Sequence, residues 1–240
     1  MRDSRRKFFK TGAALIGGSV LGVRYLNAMP IHFGKEIVNV GVIGTGDRGS
    51  GLIRLMNQIE GLEVVACSDL IPFRLEDAIM LTKSAKAYPD YNNLLADKKV
   101  DAVIVSTPFS THDEIAIAAL KAGKHVYCEK TMTKGIAEIQ SVIDAVNASG
   151  KVFQTGHQYH SSPLYNKARE IIRSGYIGDV TAYECQWNRN GSWRRPVPDP
   201  KWERMINWRM YREYSGGLVA ELMSHQIDFI NWVTDSHPEQ

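Results

Sequence analysis

A glycine-rich turn directly follows the first apolar run of the sequence, at residues 37–43. Its residues are Gly44-Thr45-Gly46-Asp47-Arg48-Gly49, a G-x-G-x-x-G pattern. The first glycine permits a tight turn, the second lets the backbone approach a pyrophosphate, and the third allows a helix to pack close to the strand. The N–H groups at the start of that helix face the phosphates, and we assign Asp47 and Arg48 to the same site. The pattern predicts a dinucleotide-binding turn, with a turn-forming glycine cluster in a domain without nucleotide as the alternative.

The next predicted strand ends at Asp69, 20 residues after Gly49. A carboxylate at this position accepts hydrogen bonds from the hydroxyls of an adenosine ribose. The same carboxylate repels a 2′-phosphate, so we expect NAD rather than NADP.

Three further residues have side chains suited to proton transfer. Lys130 follows a predicted strand, so it lies at the carboxyl edge of a sheet, where an ammonium can polarise a hydroxyl or carbonyl oxygen. Glu221 and His225 are four residues apart on a predicted helix and share one face. An imidazole beside a carboxylate suits a proton relay, because its pKa lies near neutrality. The alternatives are a solvated surface lysine and a histidine with a purely structural role.

Two other polar groups lie near these residues in the predicted architecture. His157 and Gln158 follow the last strand of the first region, which places them near the cofactor and the substrate. Asp228 is assigned to the substrate site, and mutual structural support with His225 is its alternative. His157 and His160 could suggest a metal, but no cysteine or carboxylate accompanies them on that element, so no metal is expected.

Aromatic and arginine residues crowd the stretch from Trp187 to Arg212. Flat rings and forked donors suit sugars, and we assign Trp187, Arg189 and Trp193 to substrate binding. Single-stranded nucleic acid and a packed structural loop are the alternatives.

The elements that must position these residues begin at residue 37, where apolar β-branched runs alternate with helical patterns. Strands are predicted at 37–43, 62–68, 101–106, 125–128 and 152–155, and helices at 49–59, 74–86, 112–122 and 136–148. Continuous apolar strands separated by single helices are typical of a parallel sheet covered on both faces. Residues 35–155 are therefore predicted to form a doubly wound α/β Rossmann domain.

A different pattern follows in residues 156–240. It predicts helices at 163–174 and 217–233 and a single strand at 180–188. One strand cannot make a sheet, because its backbone groups need a partner. We therefore expect the start of a second, substrate-binding α/β domain with an open sheet, cut off in this chain.

The charges are unevenly distributed. The chain has a formal net charge of +3, while residues 1–30 hold six basic residues and one acidic residue, so residues 31–240 carry −2. A slightly acidic body argues against nucleic acid. The composition, with 44% hydrophobic and 23% charged residues, excludes disordered and fibrous classes. No apolar run reaches the ~20 residues of a membrane-spanning helix.

The basic N-terminus resembles a twin-arginine export signal. Arg5 and Arg6 precede Lys7-Phe8-Phe9-Lys10, and the modestly apolar residues 11–23 follow. The alternative, a basic amphipathic helix, is opposed by four glycines between residues 12 and 22. Residues 1–30 are predicted to direct the protein to the periplasm or another exported location through the twin-arginine machinery.

Several motifs together resemble the Gfo/Idh/MocA oxidoreductase family over residues 37–233. They are Ser106-Thr107-Pro108-Phe109-Ser110-Thr111-His112, the run from Ala119 to Lys130, the turn from Ser174 to Val180, and Gly216-Gly217-Leu218 with Glu221, His225 and Asp228. The resemblance implies cofactor contacts at Thr107, Pro108, His112, Glu129, Lys130 and His157. It also implies His225 as acid/base, Lys130 as its assistant, and Glu221 as a substrate or orienting ligand. Thr131 and Glu221 depart from the family, which usually has proline and often aspartate there.

The family acts mostly on sugars and polyols, so the resemblance implies an NAD-dependent dehydrogenase that moves a hydride between nicotinamide and a hydroxyl or keto carbon. An NAD-dependent glycoside hydrolase that uses transient oxidation and elimination is the first alternative. A non-catalytic, sugar-binding NAD protein is the second. A homo-oligomer formed through the second-domain sheet is a further expectation.

Overall fold

Six parallel strands form one open sheet at the centre of the computed structural model, which describes residues 37–188 and 190–237. The strands are β1 Val38–Ile43, β2 Leu62–Ser68, β3 Lys86–Tyr88, β4 Ala102–Val105, β5 His125–Cys128 and β6 Phe153–Thr155. Their order is β3-β2-β1-β4-β5-β6, and every pair is parallel. This confirms the predicted doubly wound α/β class. The predicted signal at residues 1–30 and Arg189 lie outside the described residues.

Helices connect the strands and continue beyond the sheet. They are α1 Asp47–Met56, α2 Pro72–Met80, α3 Tyr91–Leu95, α4 His112–Lys121, α5 Ile136–Ser149, α6 Pro163–Arg173, α7 Glu203–Ile206 and α8 Ser224–Thr234. Short 3₁₀ turns lie at Phe109–Thr111, Gln158–Ser161, Pro200–Trp202 and Trp208–Met210. A π turn, Val219–Met223, leads directly into α8, where the sequence predicts one uninterrupted helix at 217–233.

The two faces of the sheet bury separate hydrophobic cores. Val42 of β1 packs with Ile53 of α1 and Leu75 of α2 on one face. The next residue, Ile43, packs with Leu94 of α3 and Ile115 of α4 on the other. Because neighbouring side chains of a strand point to opposite faces, both sides of β1 must be apolar. This is why the run at residues 37–43 shows no alternation.

The sequence does not predict two short elements, β3 and α3. The helix expected at 74–86 ends at Met80, and β3 and α3 follow it. Only Tyr88 of the three residues in β3 is buried, so the strand carries almost no apolar pattern. The side chain of Asp90 accepts a hydrogen bond from the backbone N–H of Asn92 and caps α3, a signal that was present in the sequence.

The strand predicted at 180–188 is wrong. These residues have no regular secondary structure, and the six strands of the described structure all lie between residues 38 and 155. An isolated strand leaves its N–H and C=O groups without a ladder partner, so an alternating pattern alone does not make a strand. None of the helices in the described ranges is long and apolar enough to cross a membrane.

A buried lysine joins two connections at one end of the sheet. Lys124 lies in the turn before β5 and is only 7% exposed. Its Nζ donates to the carbonyl oxygens of Asp97 and Val100, each at 2.8 Å. An ammonium suits this position, because it satisfies two carbonyl oxygens in the turn after α3 and lies near the carboxylates of Asp97 and Asp101. The lysine in the Ala-Gly-Lys-His-Val run is therefore a structural cation.

We expect Lys124→Met to lower the free energy of unfolding by about 2 kcal/mol, because the carbonyl groups of buried Val100 and half-buried Asp97 lose their donor. Lys121→Met, three residues earlier on the exposed side of α4, is the matched control and should change stability little. Guanidinium denaturation of both variants measures the difference. Equal stabilities would contradict the role given to the Lys124 ammonium.

Candidate functional site

A cleft of about 1160 Å³ opens at the carboxyl ends of the strands. The chain leaves β1 on one side and β4 on the other, so this edge is the switch point at which ligands bind in open α/β sheets. The cleft is lined by the glycine-rich turn, by the loops after β2, β4 and β5, and by the start of α8. Residues of the aromatic and arginine-rich stretch from Trp187 to Arg212, here called the aromatic segment, also line it.

The glycine-rich turn leaves no room for side chains at two positions. Gly44 has φ +85°, and a Cβ there would lie 2.7 Å from the backbone nitrogen of Thr107. A Cβ on Gly49 would lie 2.0 Å from the carbonyl oxygen of Gly44. Gly49 does not line the cleft, and its role is the close packing of α1 on the turn. Gly46 and Asp47 line the cleft at the start of α1, so the N–H groups of this helix can receive a pyrophosphate.

Asp69 lies at the end of β2 beside the turn. Its Oδ2 accepts hydrogen bonds from the backbone N–H of Thr45 at 2.7 Å and from the Thr45 hydroxyl at 3.1 Å. Its Oδ1 accepts from the backbone N–H of Ile71 at 2.9 Å. These bonds orient the carboxylate in the cleft. Arg74, which sequence reasoning missed, lies close by, with its Nη1 3.1 Å from the position of a Cβ on Gly46. Its place on the helix after Asp69 was the available signal.

An ion pair joins the turn to the end of β5. Both Nε and Nη2 of Arg48 lie 2.7 Å from Oε1 of Glu129. The Tyr127 hydroxyl donates to the same oxygen at 3.4 Å. Glu129 is 7% exposed, so the pair is a firm link between the cofactor turn and the loop that carries Lys130.

His112 lies at the cleft, but its ring is engaged by backbone. Its Nε2 lies 2.9 Å from the carbonyl oxygen of Thr107, and its Nδ1 lies 2.9 Å from that of Thr131. Burial lowers the pKa of His112. Of the cofactor contacts implied for this motif, Thr107 and Pro108 line the cleft, while His112 holds their loop and the β5 loop together.

The π turn faces Lys130 with backbone rather than with the Glu221 carboxylate. Lys130 Nζ donates to the carbonyl oxygen of Glu221, and burial lowers the pKa of Lys130. The Glu221 carboxylate accepts from Ser215 Oγ at 3.1 Å and from Arg209 Nε at 3.2 Å. The predicted relay between Glu221 and His225 is therefore corrected: this carboxylate orients Arg209 and Ser215.

His225 lines the cleft as a weakly basic imidazole. Its ring centroid lies 4.9 Å from that of Tyr159 and 5.9 Å from that of His157. Burial, and then the charges of Lys130 and His157, lower the pKa of His225 to about 4. Its Nδ1 is buried and has no hydrogen-bond partner among the described residues. The imidazole is thus neutral at pH 7 and able to accept a proton.

Two predicted residues lie behind the cleft rather than in it. Asp228 Oδ2 is 2.8 Å from His160 Nε2, and the His160 ring stacks on Trp232 at 4.2 Å. Asp228 therefore does not line the cleft as a substrate ligand; it pairs with a histidine. His157 touches the ring of His225 from behind, and burial lowers its pKa. Among the described residues, no three His, Cys, Asp or Glu side chains form a metal-binding group.

Gln158, Trp187 and Trp193 line the cleft, as predicted for substrate-binding residues. Trp208 and Arg209, which were not assigned to the site, line it as well. Trp208 packs edge-on against Phe109, with their ring centroids 5.8 Å apart. The Arg209 guanidinium lies 4.2 Å from the centroid of the Trp208 ring. Part of the aromatic segment therefore packs as structure, and another part faces the cleft. The position of Trp208 depends on its contact with Phe109 of the first domain, and that of Arg209 on its contact with Glu221. A sequence pattern does not encode either contact.

Two family models match this chain. The Gfo/Idh/MocA model described as "Oxidoreductase family, NAD-binding Rossmann fold" matches residues 38–157, and the Gfo/Idh/MocA C-terminal domain model matches residues 165–240. The inositol 2-dehydrogenase of Salmonella typhimurium is 32% identical over 200 residues, which are 82% of this chain and 54% of that protein. The 2,7-anhydro-N-acetylneuraminate hydratase of Escherichia coli is 30% identical over 203 residues, 85% of this chain and 51% of that protein.

A solved structure of an NAD-binding protein from Listeria innocua is 28% identical, with a TM-score of 0.66 over 83% of this chain and 55% of that one. The chain spans about half the length of the curated relatives it matches. Residues 38–157 thus form an NAD-binding Rossmann domain, and the lack of space at Gly44 and Gly49 fits that cofactor.

We expect Gly49→Ala to abolish NAD binding, because the new methyl group would collide with the Gly44 carbonyl oxygen and displace the turn. Gly51→Ala is the matched control on α1, since its Cβ would meet nothing within 4 Å. Alanine should stabilise that helix by roughly 0.5–1 kcal/mol and leave binding intact. Titration calorimetry with NAD compares the two, and retained affinity in Gly49→Ala would contradict the cradle.

Proposed function

The chain belongs to the Gfo/Idh/MocA oxidoreductase family, and on that premise we propose that it is an NAD-dependent oxidoreductase acting on a sugar or polyol. The observation that carries the proposal is that Lys130 and His225 line the same cleft, beside a cradle shaped for a dinucleotide. The inositol 2-dehydrogenase relatives support a hydroxyl as the reacting group.

His225 and Lys130 have different roles toward the substrate hydroxyl. His225, neutral at pH 7, accepts the proton of the substrate hydroxyl. The Lys130 ammonium donates a hydrogen bond to the same oxygen and stabilises the charge that develops on it. NAD, when bound, supplies the nicotinamide that takes up the hydride from the carbon. Gly44, Gly46, Arg48 and Asp69 are the residues that would hold it.

The balance of charges in the cleft supports a neutral substrate. Six acidic and six basic side chains line it. Three of its arginines pair with its carboxylates, namely Arg48 with Glu129, Arg195 with Asp47 and Arg209 with Glu221. A strand of nucleic acid needs a groove of unpaired positive charge, which this arrangement does not favour. Hydroxyl-rich rings can instead contact Trp187 and Trp193 and bond to Gln158.

A second candidate is elimination or hydrolysis driven by transient oxidation. The hydratase relative from Escherichia coli supports it. A neutral imidazole beside an ammonium would also serve proton abstraction next to a carbonyl. Net NADH production with free polyols supports the dehydrogenase. Release of p-nitrophenol from aryl glycosides without added NAD supports the second candidate, and tight sugar binding without turnover supports a sensor.

We expect His225→Asn to lower kcat/KM about 10²–10⁴-fold and Lys130→Met about 10²-fold, with NAD affinity retained. Because oxidation needs the neutral imidazole, the acid limb of the wild-type profile should fall near pH 4 instead of near 6.5, the ordinary pKa of histidine. NADH absorbance measures both effects, with Lys121→Met as the control. Full activity in a His225→Ala, Lys130→Ala double variant would contradict the assignment.

We further propose export through a twin-arginine signal in residues 1–30, supported by the local excess of positive charge. Replacing both Arg5 and Arg6 by lysine should keep the protein in the cytoplasm, because this route reads the arginine pair. Lysine at Arg2 and Arg24 is the charge-matched control. Fractionation of cells measures the distribution, and equal export of both variants would contradict the signal. Assembly through a second-domain sheet stays a prediction.

A further inference from the structure

Side-chain donors tie the loop after β5 to the segment that leads into α8. Thr131 Oγ1 donates to the carbonyl oxygen of Ala220 at 2.8 Å, and Lys130 Nζ donates to that of Glu221. Lys134 Nζ donates to the carbonyl oxygen of Arg212 at 2.8 Å. All these acceptors are backbone atoms, so the bonds fix the path of the chain in this segment.

Thr131 holds the central place in this arrangement. Its carbonyl oxygen contacts His112 Nδ1 at 2.9 Å, and the other ring nitrogen of this buried histidine contacts Thr107. The residue therefore joins the β4 loop, the β5 loop and the π turn. In the family that the sequence resembles, this position is usually proline, which has no hydroxyl and cannot make the bond to Ala220.

The bond to Ala220 acts on the site, because the π turn runs without a break into α8. His225 is five residues beyond Ala220 and lies in the first turn of α8. Lys130 is the neighbour of Thr131 in the chain. One hydroxyl thus links Thr131, the neighbour of Lys130, to the π turn that leads into the helix of His225.

We propose that Thr131 is a positioning residue whose hydroxyl fixes the relative position of the Lys130 ammonium and the His225 imidazole. The expected change in kcat rests on the proposed function, whereas the expected change in the titration of His225 does not. Charged and titratable groups face His225 from every side: Lys130 from the β5 loop, His157 from the segment after β6, Arg48 from α1 and Asp228 from α8 itself. A change in the Lys130 position therefore alters the titration of His225 whether or not the protein turns over a sugar.

The chain offers a matched control in the same loop. Thr133 is 5% exposed, and its hydroxyl donates to the carbonyl oxygen of Gly135 at 2.7 Å. This bond stays within the loop and does not reach the π turn. Thr133→Val and Thr131→Val each remove one such bond. If the role of the Thr131 hydroxyl were merely structural, both variants would lose the same amount of Tm and would show the same His225 pKa and kcat.

The experiment titrates His225 by NMR in the full chain and measures kcat with the best polyol substrate. For Thr131→Val we expect the pKa of His225 to rise above about 4, as the ammonium moves away. We expect kcat to fall about 10-fold with NAD affinity unchanged. Thr131→Ser, which retains the hydroxyl, should resemble the wild type, and Thr133→Val should leave the pKa and kcat unaltered.

An unshifted His225 titration in Thr131→Val, or an equal shift in Thr133→Val, overturns the proposal. Should Thr131→Val fail to fold, Thr131→Ser and Thr131→Ala differ only in the hydroxyl, and identical titrations in these two overturn it as well. Absence of turnover in every protein, with the pKa shift present, would refute the proposed function and leave the positioning role supported.

Discussion

Burial of cationic and imidazole groups at the carboxyl edge of the sheet is the constraint on which the rest of the site depends. Removing a charge from water costs free energy unless the protein supplies partners. Lys130 receives a backbone carbonyl oxygen, and Arg48 receives the buried carboxylate of Glu129. The same burial lowers the pKa of Lys130, His157 and His225. The burial of these charged groups is therefore only partly compensated by their partners.

The chain at the end of β5 distributes those partners. Glu129 reaches the glycine-rich turn, Lys130 reaches the carbonyl of Glu221, and Thr131 reaches the carbonyl of Ala220. Three consecutive residues therefore connect the cofactor cradle with the helix of the imidazole. If a bound cofactor displaced the turn, Arg48 and Glu129 would move first. The residue after Glu129 is Lys130, which carries the ammonium. A short path of three residues thus connects the predicted cofactor cradle with the two side chains proposed for proton transfer.

How far the sequence predicts this arrangement depends on whether the information is local. The glycine-rich turn, the apolar strands and the helices between them follow from spacing and side-chain type, so the Rossmann sheet and the place of Asp69 were predictable. β3 has one buried residue in three, so the sequence does not predict it. The run at 180–188 has the pattern of a strand but no neighbouring strand in the described structure, so that prediction is wrong. The partners of Asp228 and Glu221 depend on contacts over 6 to 68 residues, which no periodic pattern reports.

The partner of Glu221 decides which proton chemistry the resting site favours. A carboxylate bonded to His225 would stabilise the imidazolium and raise its pKa. In this chain the carboxylate of Glu221 turns to Arg209 and Ser215, and Asp228 is occupied by His160. Among the residues that the structure describes, no carboxylate is hydrogen-bonded to His225 Nδ1, while burial and then the charge of Lys130 lower the pKa of this imidazole. The imidazole rests as a free base, which is the form that the proposed oxidation of a hydroxyl requires. In the reverse direction the same low pKa would make the imidazolium a strong acid toward the alkoxide.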